Sequence, residues 1–157
     1  LDCSFFYLHL EKYKKNMWKS DYSIEQVNSM NKITILETLG IEITEKGADF
    51  LVGKMPVDSR TVQPMRILHG GANVVLAETL GSIASLMVID PEKEISVGLD
   101  INANHIRSVK SGWVNGVAKP ISIGSKIHVW EIKITDEDER LTCISRLTVS
   151  ILPKKQN

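Results

Sequence analysis

The chain has 157 residues, 43% of them hydrophobic and 24% charged, with 19 basic side chains against 19 acidic ones. That length suits one domain with a sizeable core, and a net charge of zero offers no electrostatic footprint for nucleic acid or an anionic membrane surface. The two cysteines, Cys3 and Cys143, make neither a disulfide framework nor a metal-ligand spacing, so a reducing cytoplasm is the expected compartment.

The apolar stretch from Cys3 to Leu10 has no basic residue before it and no small-residue cleavage site after it, so it does not read as a signal peptide. Residues 1–16 are expected to form a peripheral extension, with Met17 as a natural start of translation. Residues 17–153 are expected to form a single domain, and 154–157 a polar tail. No apolar run is expected to span a membrane. Ser23 followed by Gln26 fits a capping box, which predicts a short helix from Ile24 to Met30. Thr38 to Thr44 reads as a strand, Lys46-Gly47-Ala48-Asp49 as a turn, and Phe50 to Val57 as the returning strand. Asp58 to Leu68 reads as a loop.

A long apolar helix follows, from the Gly70-Gly71 pair to about Val88, and ends near Asp90-Pro91. After it the pattern changes to period two. Ile95, Val97, Leu99, Ile101 and Ala103 alternate with polar residues or glycine, which predicts a half-buried strand. Further strands are predicted over Trp113–Ala118, Lys126–Thr135 and Leu141–Ile151, joined by short turns. In the second of these the apolar parity switches between Val129 and Trp130, which suggests a bulge. Consecutive strands with short connections are antiparallel neighbours. One helix can cover such a sheet only if the sheet curls around it. The expected fold class is therefore α+β, a curved antiparallel sheet wrapped around a long central helix.

That central helix carries one carboxylate, Glu78. On a helix Glu78 shares a face with Gly71, Val74 and Ser82. The Gly70-Gly71 end offers unpaired N–H groups and the positive end of the helix dipole, and glycine lets a carbonyl oxygen approach them closely. These are the requirements of an oxyanion hole for acyl chemistry. Glu78 could then attack the acyl carbon or activate a water. A thioester suits, because its thiolate leaves without a strong general acid. Gln63 and His69 can add polar groups near the glycines, and Ser82 can orient Glu78 or the water. Each residue also has a plainer reading: Glu78 facing solvent, the glycines as a tight helix entry, His69 as a cap, Gln63 as the start of a turn, Ser82 as a small packing residue.

The motif Gln63-Pro-x-x-x-Leu68-His69-Gly70-Gly71, with Glu78-Thr79-Leu80-Gly81-Ser82 after it and Asn102-Ala103-Asn104-His105-Ile106-Arg107-Ser108 later, resembles the hotdog-fold acyl-coenzyme A thioesterases of the phenylacetate-degradation type. The resemblance covers about Met17 to Leu152. It is greatest to members acting on 1,4-dihydroxy-2-naphthoyl-CoA in menaquinone synthesis, and to those that clear misacylated aryl carrier protein in enterobactin synthesis. It implies a hydrolase of aromatic acyl-CoA that needs no cofactor or metal. It also implies a homo-oligomer, a dimer or dimer of dimers with the active site at a subunit interface.

By position the family implies Glu78 as nucleophile or general base, Gly70 as the N–H that polarises the thioester carbonyl, and Gln63, His69 and Ser82 as supporting polar groups. For substrate and coenzyme A binding it implies Val97, Asn104, His105, Ile106 and Arg107, and the turn Ile121, Ser122, Ile123, Gly124, Ser125 and Lys126. Arg107 and Lys126 are chemically reasonable phosphate partners. Ile83 and Met87 are expected to shape the acyl pocket. Two alternatives remain: a thioesterase acting on an acyl carrier protein, and a non-catalytic module that binds acyl-CoA.

Overall fold

The computed structural model describes residues 17–155, so the extension over residues 1–16 with Cys3, and the last two residues of the tail, lie outside the described residues. Ser23 caps α1 (Ile24–Met30). Its hydroxyl accepts from the Gln26 N–H at 3.2 Å, while Gln26 Oε1 accepts from the Ser23 N–H at 2.9 Å. This is the reciprocal capping box that the sequence predicts.

The next segment departs from the expected strand. Thr34 caps a second helix, α2 (Ile35–Leu39), by accepting from the Leu36 N–H, and Gly40 stops it at φ 69°. A left-handed glycine stop and a threonine cap here outweigh the β preference of the β-branched residues. Strand β1 (Glu42–Lys46) starts only after them.

The remaining elements are β2 (Leu51–Pro56), α3 (Gly70–Val88), β3 (Glu94–His105), β4 (Trp113–Ile123), β5 (Ile127–Thr135) and β6 (Leu141–Pro153). All six strands form one antiparallel sheet in the order β1-β2-β4-β5-β6-β3. The sheet curls so that α3 packs against β2, β3, β4, β5 and β6. This is the hotdog arrangement. Leu76, Ala77, Leu80, Ala84 and Met87 of α3 meet Leu51, Met55, Val114, Trp130, Ile132, Ile134, Leu147 and Val149 of the sheet, all buried. Each large side chain buried there contributes about 1.5–3 kcal/mol. At 19 residues α3 is long and apolar enough to cross a bilayer, contrary to the reading that no run reaches that length. Its apolar surface is instead mostly buried inside the protein.

Two strands correct the simple alternation. In β3 the pairing with β6 slips between Gly98 and Asp100, leaving Leu99 as an extra residue. Before the slip Ser96 and Gly98 face α3, opposite buried Ile151 and Val149, so Ile95 and Val97 face outward. After it Ile101 and Ala103 face inward, opposite buried Leu147 and Ser145. Ile95, Val97 and Leu99 are accordingly 41%, 47% and 64% exposed on an edge strand, not half-buried. The bulge expected in β5 lies on its partner. β5 pairs continuously there, whereas β4 slips between Pro120 and Ser122, and β4 runs past Ala118 to Ile123. A proline inside the strand masked that extension. The parity of β5 is regular because His128 occupies a buried position that an apolar residue would otherwise fill.

His128 belongs to a polar network in the core. The Trp130 indole N–H donates to Ser85 Oγ at 2.8 Å, and the same hydroxyl lies 3.1 Å from His128 Nδ1. Burial pushes the His128 pKa below its ordinary 6.5, although the Gly124 carbonyl and Glu94 oppose that shift. The unfolded chain therefore takes up a proton at His128 that the folded chain resists. The contribution is fully present above pH 6.5 and is lost as pH falls from there towards the folded value. We expect wild-type stability to decline by up to about 1.4 kcal/mol per pH unit in that interval through this group. Urea unfolding across pH 5–8 should show the decline flattened in His128→Gln.

Candidate active site

The loop before α3 is held by its own backbone. Gln63 N–H donates to the Ile67 carbonyl, Arg66 N–H to the Gln63 carbonyl, and His69 N–H to the Thr61 carbonyl. Gln63 Oε1 accepts from the Met65 N–H at 2.6 Å, so its oxygen is committed to the turn. His69 is the N-cap of α3, and its Nδ1 accepts from the Gly71 N–H at 2.8 Å. The Ala72 and Asn73 N–H groups return to the His69 carbonyl. Of the two glycine N–H groups expected to be free, only that of Gly70 is without a partner among the described residues.

Gly70 lines a cavity of about 300 Å³ with Gln63, Asn73, His105, Ile106 and Arg107. The His105 ring closes over it: a Cβ at residue 70 would lie 2.7 Å from His105 Nε2. Asn73 was not singled out by the sequence. It is 4% exposed and its Oδ1 has no hydrogen-bond partner.

Two turns further along α3, Glu78 lines a different cavity, of about 470 Å³. Its walls are Val74, Val75, Thr79, Ser82 and Ile83 of α3 with Asn31, Ile35 and Leu36 of the α1–α2 segment. Ser82 Oγ donates to Glu78 Oε1 at 3.5 Å, the outer limit of a hydrogen bond. On the other side β3 offers Gly98, where a Cβ would stand 2.0 Å from Glu78 Oε1. Burial raises the Glu78 pKa above its ordinary 4.5, and the Ser82 hydroxyl pulls it partly back. A half-buried carboxylate in an apolar cavity, short of hydrogen-bond donors, is a stronger base than one in water.

The structure divides the remaining candidates. His105, Ile106 and Arg107 meet Gln63 and Gly70. Asn104 and Ile121 line a separate groove with Asn102, Glu131 and Arg146. Ser125 and Lys126 lie at another, beside Lys93 and Glu94. Ser122, Ile123 and Gly124 form the exposed end of β4 and its turn, and Val97 faces outward on β3. Ile83 lines the cavity with Glu78, but Met87 is 1% exposed in the core and does not. Among the described residues no three His, Cys, Asp or Glu side chains come together as metal ligands.

A sheet curled around one helix, with that helix exposing a carboxylate to an apolar cavity, places the molecule among the hotdog-fold hydrolases. Comparison with known proteins makes the class specific. The profile of the thioesterase superfamily matches residues 65–143, and the chain belongs to that family. The 1,4-dihydroxy-2-naphthoyl-CoA hydrolase of Escherichia coli is 48% identical over 87% of this chain and 98% of its own. The proofreading thioesterase EntH of Cronobacter turicensis is 43% identical over 87% of this chain and 98% of its own. Among solved structures, a Pseudomonas aeruginosa thioesterase, crystallised as a glutamine-to-alanine mutant, superposes with a TM-score of 0.87 at 43% identity, covering 88% of this chain and 99% of that one. A Staphylococcus aureus thioesterase does so with a TM-score of 0.74 at 42% identity, covering 76% of this chain. It covers 99% and 98% of its own chain in two mutant structures, one with a glutamate and one with a glutamine changed to alanine. Those two positions are separated by as many residues as Gln63 and Glu78 here. The chain is a thioester hydrolase of that family.

Proposed function

We propose that the protein hydrolyses an aromatic acyl-CoA, with 1,4-dihydroxy-2-naphthoyl-CoA as a leading candidate, and that Glu78 is the carboxylate that does so. The observation that carries this reading is Glu78 itself: desolvated, raised in pKa, touched by Ser82, and set in an apolar cavity with room for a ring. The glutamate and glutamine chosen for mutation in the Staphylococcus aureus relative, at the same separation, support it. The Gly70 N–H, unpaired at the positive end of α3, receives the thioester oxygen as charge develops on it. Glu78 attacks the acyl carbon, or takes a proton from a water that attacks it. The C–S bond breaks and the thiolate leaves, taking up a proton to become the free thiol; on the first route water then splits the acyl–Glu78 anhydride, and on both the free acid is released and the Glu78 carboxylate restored. Gln63 and His69 hold the loop and helix entry around Gly70, and Ser82 orients Glu78.

Within one chain Gly70 and Glu78 line different cavities. We therefore place the working site between two copies, paired along the exposed edge of β3, where Ile95, Val97 and Leu99 are uncovered. Such a dimer, alone or doubled, also gives the scattered coenzyme A candidates from His105 to Arg107 and Ile121 to Lys126 a second chain to act with. The working unit is residues 17–153, and coenzyme A esters place it in the cytoplasm.

A panel of aryl- and alkyl-acyl-CoA thioesters, scored by kcat/KM with thiol detection, tests the reading. Aryl thioesters should lead, and release of no thiol from any of them would overturn it. The likeness to a proofreading thioesterase favours a second reading, in which the acyl group rides on a carrier protein. Presenting one acyl group on both carriers separates the two.

Ser82 gives a pH test. Glu78 works as the anion, so kcat/KM should rise with pH through a value above the ordinary glutamate pKa. Removing the hydroxyl that lowers this pKa should move the acid limb of the profile to higher pH in Ser82→Ala.

A further inference from the structure

Gly70 and Glu78 lie on one helix, α3. Their separation along its axis is about 12 Å. A reacting carbon has to sit within about 3–3.5 Å of the group that attacks it while its oxygen reaches the N–H donor. One chain cannot meet both conditions, so Glu78 of one copy works with the Gly70 end of another. Whatever is tied to Gly70 arrives at that Glu78 with it.

The loop before α3 carries a rigid tip to this meeting. Gln63 lines the Gly70 cavity, and its Oε1 holds the Met65 N–H, which fixes the tip beside the site. The Arg66 N–H donates to the Gln63 carbonyl at 2.8 Å, the Gln63 N–H donates to the Ile67 carbonyl at 2.9 Å, and a bridge between Val62 and Leu68 closes the base. Arg66 takes the left-handed region at φ 60°, which a residue with a side chain adopts seldom and only where its surroundings impose it. The turn held in this way projects Met65, 78% exposed, with Pro64 and Arg66 exposed on either side. A lone exposed apolar side chain is ordinary. One held out by a hydrogen-bonded, strained turn next to a catalytic N–H calls for a surface to cover it.

We propose that Met65 sets acyl-group size in trans: its side chain closes the Glu78 cavity of the neighbouring copy and forms one wall of the acyl site. This rests on the acyl-CoA reading above. The cavity suits such a wall. Its lining is largely apolar, from Val74, Val75, Ile83, Ile35 and Leu36, and within one chain it is uncovered, with Ile35 55% exposed. Methionine is unbranched and adaptable, so it fills an irregular gap, and its thioether packs favourably against an aromatic edge.

The test compares kcat/KM for benzoyl-CoA and 2-naphthoyl-CoA in wild type, Met65→Ala and Met65→Trp. The naphthoyl-to-benzoyl ratio should rise about tenfold or more in Met65→Ala and fall about tenfold or more in Met65→Trp. A ratio that stays put or moves the other way in either variant overturns the assignment. The arrangement in trans is read from mixed oligomers. Tagged Met65→Ala chains are reassembled with a large excess of untagged Glu78→Gln chains and captured by the tag. Each intact Glu78 then faces a partner that carries methionine at position 65, so the ratio should return to the wild-type value. A ratio that keeps the Met65→Ala value places Met65 at its own Glu78 and overturns the proposal, as does a captured oligomer without activity. These results leave the hydrolytic reading standing. Wild type that releases no thiol from either ester overturns that reading and the assignment with it.

Discussion

Glu78→Gln is expected to lower kcat by about 10³-fold or more while leaving the fold and oligomeric state intact. The substitution keeps the shape of the side chain and its contact with Ser82 but removes both the nucleophile and the base. Stability supplies the control. Burial disfavours the charged form of Glu78, which has only a weak bond to Ser82 as compensation. The neutral amide should therefore unfold at the same temperature as wild type or slightly above it at neutral pH. Loss of activity with an unchanged or raised Tm identifies a working group that the fold tolerates. Full activity in the variant would remove Glu78 from the mechanism.

Gly70→Ala is the second large effect, expected to lower kcat/KM by about 10²-fold. The N–H is still present after this change. The added methyl would lie 2.7 Å from His105 Nε2, so either the ring moves or the methyl occupies the space in front of the N–H. Gly71→Ala is the matched comparison. Its N–H is already bonded to His69 Nδ1, and its Cβ would meet only the His69 ring, at 3.0 Å. That change should cost far less than Gly70→Ala. Equal losses in the two variants would argue for a general disturbance of the helix entry in place of a specific role for Gly70.

Much of this arrangement can be read from the residues. The capping box at Ser23, the long apolar helix and the turn-separated strands each have a local cause, and together they require a sheet curled around a helix. What escaped the sequence depends on context. α2 was hidden because its threonine cap and glycine stop enclose β-branched residues. The bulges escaped because a phase change in an apolar pattern shows that a register slips somewhere, not on which strand, as Pro120 and Val129 illustrate. At the site, the grouping of Gly70 with His105 and of Glu78 with the α1–α2 segment is a tertiary fact, as is the sequestering of the Gly71 N–H by His69. Asn31 and Asn73 carry no motif. Only the unpaired atoms of their amides in the folded chain mark them.

The extra residue at Leu99 works as a phase slip in β3, and it sets what this strand can tolerate. If residues 94–100 paired without the slip while the C-terminal half stayed in register, the N-terminal half would rotate by one face. Leu99 would then stand opposite Val149 and point at the Glu78 carboxylate where Gly98 now leaves it room, and the outer surface would lose its apolar residues at the edge. One backbone irregularity thus couples the space around the carboxylate to the character of the exposed edge. Loss of the slip would be felt in catalysis and in assembly together.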